Sequence, residues 1–255
     1  MRIDFNCDLG EGCGNDAALV PLISSASIAC GGHAGDADTM RETLELCLRH
    51  GVAIGAHPGF EDRAGFGRHE QSITADQARA LITRQLARLA EVAEAAGARI
   101  VHVKPHGALY NLAARERRIA DAIADAVAEF DPNLRLYGLA GSHATEAAHA
   151  HGLRAVHEAF AERRYRADGS LTARSQPGAV LDSPQDALAQ TRSLLHTGTV
   201  IADDGSRVAV RADSLCLHGD RADAVAFARA LRDALEADYE GVTRLFTQIG
   251  TGGAN

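Results

Sequence analysis

Residues 100–111 read IVHVKPHGALYN. Ile100, Val101 and Val103 are β-branched and apolar, the composition of a strand buried on both faces. Lys104, His106 and Tyr110 follow at once, with Pro105 and Gly107 as the breakers that end the strand. In parallel-sheet enzymes this junction, at the carboxyl end of a strand, is where the chemistry sits. The same pattern recurs along the chain, and the recurrence predicts a β/α fold whose site is a ring of strand ends.

Upstream, a first strand is predicted at Ile3–Asn6, before the acidic, Gly-rich turn CDLGEGCGND, and a second at Ser27–Cys30, before GGHAGDAD. A helix follows from Thr39 to His50, capped by Asp36 or Asp38 and stopped by Gly51. Val52–Ala56 reads as the third strand, running into the loop HPGFEDRAGFGRHE. The helix before Ile100 opens on a capping box, Thr74-Ala-Asp-Gln77, buries Leu81, Ile82, Leu86, Leu89 and Val92, and ends at Gly97.

Downstream, KPHGALYN reads as a loop, and Ile119, Ile123 and Val127 mark a helix closed by Asp131-Pro132-Asn133. Leu134–Leu139 is a fifth strand, Ser142 caps a short helix ending at Gly152, and Leu153–Val156 is a sixth strand leading to Glu158. The polar insertion AFAERRYRADGSLTARSQPG comes next, too long for an ordinary connection. A short strand at Ala179–Leu181, a helix from Ser183-Pro184 and a hairpin over Val200–Val210 around Asp204-Gly205 follow. Ser214–Leu217 is the last strand, leading to His218 and Asp220, before a helix over Asp223–Ala237 and a frayed Gly250–Asn255 tail. Strands alternating with helices over residues 1–255 predict one α/β domain, an irregular (β/α) barrel of about seven strands. The alternative is an open doubly wound sheet, but no Gly-x-Gly-x-x-Gly follows the first strand and no phosphate-binding P-loop is present.

Composition narrows the function. With 34 acids against 26 bases the net charge is −8, and with seven Phe, four Tyr and no Trp there is neither a basic surface nor a base-stacking platform. Nucleic acid and anionic membrane are therefore not expected partners. No apolar run is long enough for a membrane span or signal peptide, which predicts a cytoplasmic protein. Five cysteines without a Cys-x-x-Cys pair suggest neither a disulfide framework nor a zinc knuckle. A nucleophilic thiol, with Cys7 nearest the polar motifs, is the minority reading; buried small hydrophobes are the commoner fate of such residues.

Taken together, the strand ends carry Asp8 and Glu11, His33 and Asp36, His57, Lys104 and His106, Glu158, and His218 with Asp220. Each alone has an ordinary explanation, such as a helix cap for Asp8 or Asp36. The repetition shifts the balance, because four of the twelve histidines fall just past strands beside Gly or Pro. Such a ring can hold a divalent cation, for which Asp8, His33 and His57 are candidates. Alternatively, carboxylates serve as acid and base while Lys104 and a histidine stabilise negative charge, with burial lowering the Lys pKa and raising a carboxylate's. The residues do not choose between the two. Arg63 and Arg68 lie in one Gly-rich loop, and Arg163, Arg164, Arg166 and Arg174 in the insertion, positions suited to anion contacts, a lid or a solvated surface. Lys104 is the only lysine; every other member of the 26 basic residues is Arg. That singles out a role for a compact ammonium that a guanidinium does not fill.

Six motifs in order carry a resemblance: NCDLGEG (Asn6–Gly12), IACGGHAGD (Ile28–Asp36), IGAHPGFEDRAGFGR (Ile54–Arg68), VKPHGALYN (Val103–Asn111), EAFAERRY (Glu158–Tyr165) and CLHGD (Cys216–Asp220). The set resembles the LamB/YcsF family, whose members form the A subunit of the bacterial ATP-hydrolysing 5-oxoprolinase. The resemblance implies a glycoside hydrolase/deacetylase-like barrel and opening of the 5-oxo-L-proline lactam to L-glutamate, coupled to hydrolysis of ATP as co-substrate. It implies B and C subunits as partners; a Mg-type divalent cation and homo-oligomerisation stay open. On this reading Asp8, Glu11, Lys104 and His106 are the catalytic candidates. His33, His57, Arg68, Tyr110, Glu158, Arg163, His218 and Asp220 bind substrate. Replacing Lys104 by Ala or Asp8 by Asn is expected to abolish coupled turnover and leave the fold intact. Cys7, Gly32, Glu162 and His69 depart from the family's usual Ala, Phe, Asp and Arg. The competing readings are a stand-alone metal-dependent amidase or deacetylase, and a non-catalytic ligand-binding subunit.

Overall fold

The computed structural model describes residues 3–220 and 223–238. Seven parallel strands close into a barrel: β1 (Asp4–Leu9), β2 (Ser25–Ala29), β3 (Ala53–His57), β4 (Ile100–Val103), β5 (Arg135–Leu139), β6 (Arg154–Phe160) and β9 (Ser214–His218), which pairs with both β6 and β1. Two further strands, β7 (Thr199–Ile201) and β8 (Arg207–Ala209), form a separate antiparallel hairpin. Around the barrel lie α1 (Asp16–Leu19), α2 (Ala37–His50), α3 (Ala75–Ala95), α4 (Gly107–Arg115), α5 (Arg117–Phe130), α6 (His143–Ala150), α7 (Pro184–Thr197) and α8 (Ala224–Asp238).

The helices form where local chemistry directs. Asp36 and Thr39 cap α2 reciprocally, Gly51 closes it in the left-handed conformation, and Thr74 and Gln77 form the same kind of box on α3. Along α5, Ile119, Ala120, Ile123, Ala124 and Val127 fall on one face and are buried. The core thus lies between the barrel wall and the helical layer.

The barrel interior is polar. Along β1, Phe5, Cys7 and Leu9 join the outer core, whereas Asp4, Asn6 and Asp8 bond to side chains of other strands. At the base, the Asp4 carboxylate accepts hydrogen bonds from Ser24, Ser25, Tyr137 and Ser214. Above it, Asn6 donates to Ser25, and Ser27 bridges Asn6 and His102. Gly55 makes room: any Cβ there would collide with the His102 ring. At the top of the stack come Asp8, Lys104, Glu158 and Cys216.

Several boundaries differ from expectation. β1 runs to Leu9 and β6 to Phe160, so Asp8 and Glu158 lie inside strands and not in the loops beyond them. The KPHGALYN stretch is largely helix: α4 starts at Gly107, buries Leu109, Tyr110 and Leu112, and brings Gly107 so close to Gly67 that an added Cβ would sit 2.6 Å from its carbonyl oxygen. Ser142 holds the cap position of α6, but its side chain makes no capping bond. Ala179–Leu181 forms no strand; a single bridge joins Val180 to Arg163. The Gly250–Asn255 tail lies outside the described residues.

Candidate active site

The lysine at the end of β4 is buried and surrounded. Lys104 Nζ lies 2.6 Å from Asp8 Oδ1 and 2.9 Å from Glu158 Oε1, donates to Asn6 Oδ1 at 2.7 Å, and stands 3.3 Å from Cys216 Sγ. Burial works to lower its pKa, but Asp8, Cys216 and Glu158 together hold it well above the ordinary lysine value. The expectation that burial would win is thus corrected: Lys104 is a fixed cation. The carboxylates diverge. Burial works to raise Asp8, yet His57 and Lys104 bring it well below its usual value. Glu11 is raised well above its usual value by burial and by the charges of Asp8 and Asp220, and Glu158 is raised by burial. Cys7 and Cys216 are buried thiols pushed well above their usual value, first of all by burial. This speaks against a thiolate nucleophile.

Beside the lysine stands a cluster of imidazoles. His57, at the end of β3, presents Nδ1 to the Lys104 carbonyl at 2.7 Å and Nε2 to Asp8 Oδ2 at 3.3 Å. His106 presents Nε2 to the Phe66 carbonyl at 2.8 Å and Nδ1 to His57 Nε2 at 2.9 Å. His33 stacks on His106 with ring centroids 3.6 Å apart, and its Nε2 lies 3.1 Å from Glu11 Oε1. Burial lowers His33 to about 2, and burial together with His33 and His57 brings His106 well below its ordinary value.

A cavity of 590 Å³ opens over these groups and is lined by Asp8, His57, Lys104, His106, Tyr110, Glu158 and His218, with Arg68, Arg163 and Arg174 from the loops. Arg68 pairs with Asp220 at 2.5 Å, and His218 pairs with Glu162. Arg163 spends its guanidinium on the Thr172 and Ala179 carbonyls and so tethers the insertion. Arg63 bonds to the Gly31 and Gly35 carbonyls, and Asp36 is occupied in capping α2; both serve local structure.

The structure therefore brings Asp8, Glu11, His33, His57, Lys104, His106, Tyr110, Glu158 and His218 to one end of the barrel, with Arg68, Asp220 and Arg163 at the rim. It adds Asn6, Cys216 and Glu162, which touch Lys104 or His218 directly. Asn6 and Cys216 share a signal visible in the chain: Asp4-x-Asn6-x-Asp8 and Ser214-x-Cys216-x-His218 place polar or thiol side chains at period two, one face of a strand.

The model of the LamB/YcsF family matches residues 3–248. The chain belongs to the LamB/YcsF family. A relative from Bordetella pertussis, named as the A subunit of 5-oxoprolinase, is 52% identical over 241 residues, covering 92% of this chain and 96% of that one. The solved structure of a lactam utilization protein from Thermus thermophilus superposes with a TM-score of 0.88 at 44% identity, covering 96% of this chain and all of the other. Two of the positions singled out in the motifs have clear structural roles here. Gly32 leaves space that the Gln85 amide fills, 2.5 Å from where a Cβ would stand, while Gln85 bonds the Gly59 backbone on both sides. Glu162 reaches His218.

Proposed function

We propose that this chain is the A subunit of an ATP-dependent 5-oxoprolinase, opening the 5-oxo-L-proline lactam to L-glutamate with hydrolysis of ATP to ADP and phosphate. The observation that carries the reading is the buried Lys104 cation, held between Asp8 and Glu158 at the floor of the cavity. The identity to a protein named for that role supports the substrate.

A lactam resists water because nitrogen donates into the carbonyl, so direct attack is slow. Transfer of the ATP γ-phosphoryl group to the amide oxygen makes an electrophile that water can attack. The new C–O bond forms, the C–N bond breaks and the ring nitrogen takes a proton, which leaves a γ-glutamyl phosphate; a second water hydrolyses this acyl phosphate to glutamate and phosphate. Lys104 faces the charge that develops on the lactam or phosphoryl oxygen, in a site where water does not screen it. Asp8 is the ionised carboxylate beside it and receives the proton of the attacking water. Arg68 and His218 line the same cavity and orient the substrate carboxylate. His106 presents Nδ1 toward His57, its Nε2 being committed to the Phe66 carbonyl. A divalent cation held by the Glu11 and histidine group would add polarisation of an oxygen. Mg in this scheme accompanies ATP. B and C subunits complete the enzyme, and the assembly works in the cytoplasm; among the described residues no helix is long and apolar enough to cross a membrane.

The test is Asp8→Asn in the assembled complex. Coupled release of ADP and glutamate should fall by at least about a hundredfold, the contribution of a positioned base. Turnover within about twofold of wild type, at unchanged stability, would remove Asp8 from the mechanism.

A further inference from the structure

Hydrogen bonds around the histidines turn two ring nitrogens toward each other. His57 Nδ1 faces the Lys104 carbonyl and His106 Nε2 faces the Phe66 carbonyl, so both nitrogens carry protons. In the neutral rings this leaves lone pairs on His57 Nε2 and His106 Nδ1, which face each other at 2.9 Å. Two carboxyl oxygens lie beside them: Asp8 Oδ2 is 3.3 Å from His57 Nε2, and Glu11 Oε1 is 3.5 Å from His106 Nδ1. His33, His57 and His106 are 1%, 1% and 3% exposed, so bulk water does not relieve the conflict. His33 Nδ1 is likewise buried without a partner.

We propose that Glu11, His33, His57 and His106 form a binding site for one divalent transition ion of the zinc type. Their donor atoms all lie within 4.8 Å of one another. Three of the spacings are 2.9, 3.1 and 3.5 Å. Bonds of about 2.0–2.1 Å to a tetrahedral ion place ligands about 3.3 Å apart, in the middle of that range. His57 and His106 each donate the other ring N–H to a backbone carbonyl, the outer-shell arrangement that orients metal-ligating histidines. One extra proton would settle a single pair of facing nitrogens, but it engages only two of the four donors. Three imidazoles and one carboxylate favour zinc, cobalt or nickel over magnesium, which prefers oxygen. The inference deepens the proposed function by assigning the ion's class and its ligands, and it is tested apart from it, because metal content is read without substrate.

The experiment uses the full chain, stripped with chelator, reloaded with Zn²⁺ or Co²⁺ and freed of excess ion. Metal is measured by mass spectrometry and Co²⁺ coordination by visible absorption. The expected result is one ion per chain with a tetrahedral cobalt spectrum. His57→Ala and His106→Ala should weaken affinity at least about tenfold, while His69→Ala, an exposed control, retains it. If an alanine variant fails to fold, Glu11→Gln carries the test and should weaken binding and change the cobalt spectrum. A wild-type chain that holds no ion after loading overturns the proposal. So does an ion held equally by wild type and by every folded site variant. Metal bound by the chain, with no 5-oxoproline turnover from the complex assembled with B and C subunits and ATP, would sink the proposed function and leave this site standing.

Discussion

Lys104 is where residue chemistry and stability meet. Its side chain is 2% exposed and bonded to Asp8, Glu158 and Asn6, so removing it strands two buried carboxylates. This corrects the expectation that Lys104→Ala leaves the fold untouched: urea unfolding should show a loss of about 3–5 kcal/mol, the cost of breaking a buried pair from one side. Lys104→Met with Glu158→Gln should recover much of that loss without recovering turnover. Equal stability of Lys104→Ala and wild type would show that the charge network is not formed. Glu162 gives the pH counterpart. Burial works to raise its carboxyl, but His218 holds it below the ordinary 4.5. The unfolded chain therefore binds more protons than the folded one as pH falls below that value. The contribution is present above the unfolded pKa and lost as pH falls through the folded one. Glu162→Gln should accordingly flatten the acid limb of a thermal-stability profile; an unchanged limb would contradict the assignment.

At the scale of elements, the polar stack inside the barrel explains both how the strands are registered and why part of the site was hard to read. Asp4 ties the starts of β1, β2 and β9 to β5 through four donors. Asp4→Ala would strand buried hydroxyls costing about 1–3 kcal/mol apiece where no water replaces them, so a drop in unfolding midpoint is expected, with turnover retained in the folded fraction. A midpoint equal to wild type would show that the base of the barrel does not depend on this carboxylate. The strands at Ile100 and Leu134, the caps at Asp36 and Thr74 and the Asp204-Gly205 hairpin were legible because their signals are local: β-branched runs, reciprocal caps and turn residues. The length of β1 was not. Its polar face points inward, opposite to the usual sheet, so Asp8 reads as part of the turn that opens at Cys7. Helix α4 was hidden by Gly107 and Asn111, weak helix formers, although Ala108, Leu109, Leu112 and Ala113 pack as a helical face. The strand-end histidines were legible one by one. Their mutual contact comes from three separate strands and could be known only once the barrel closed.

For the whole molecule, parallel closure of β9 against β1 is the step that makes a site from scattered motifs. It sets Asp8 level with His218 and brings residues more than 200 positions apart into one cavity. The insertion after β6 roofs that cavity, held by Arg163 and by Tyr165, whose hydroxyl accepts from the Phe160 backbone amide. Arg163→Ala should loosen the roof and raise KM for substrate more than it lowers kcat, read in steady-state kinetics of the assembled complex. An effect on kcat alone would place Arg163 in the chemistry instead. The central claim is that this site opens the lactam only when coupled to ATP and to its partner subunits. It is tested most directly by measuring ADP and glutamate release from 5-oxoproline and ATP, for the chain alone and with B and C subunits. The account predicts stoichiometric ADP and glutamate from the assembly and neither from the isolated chain. Glutamate formed by the isolated chain without ATP would contradict it.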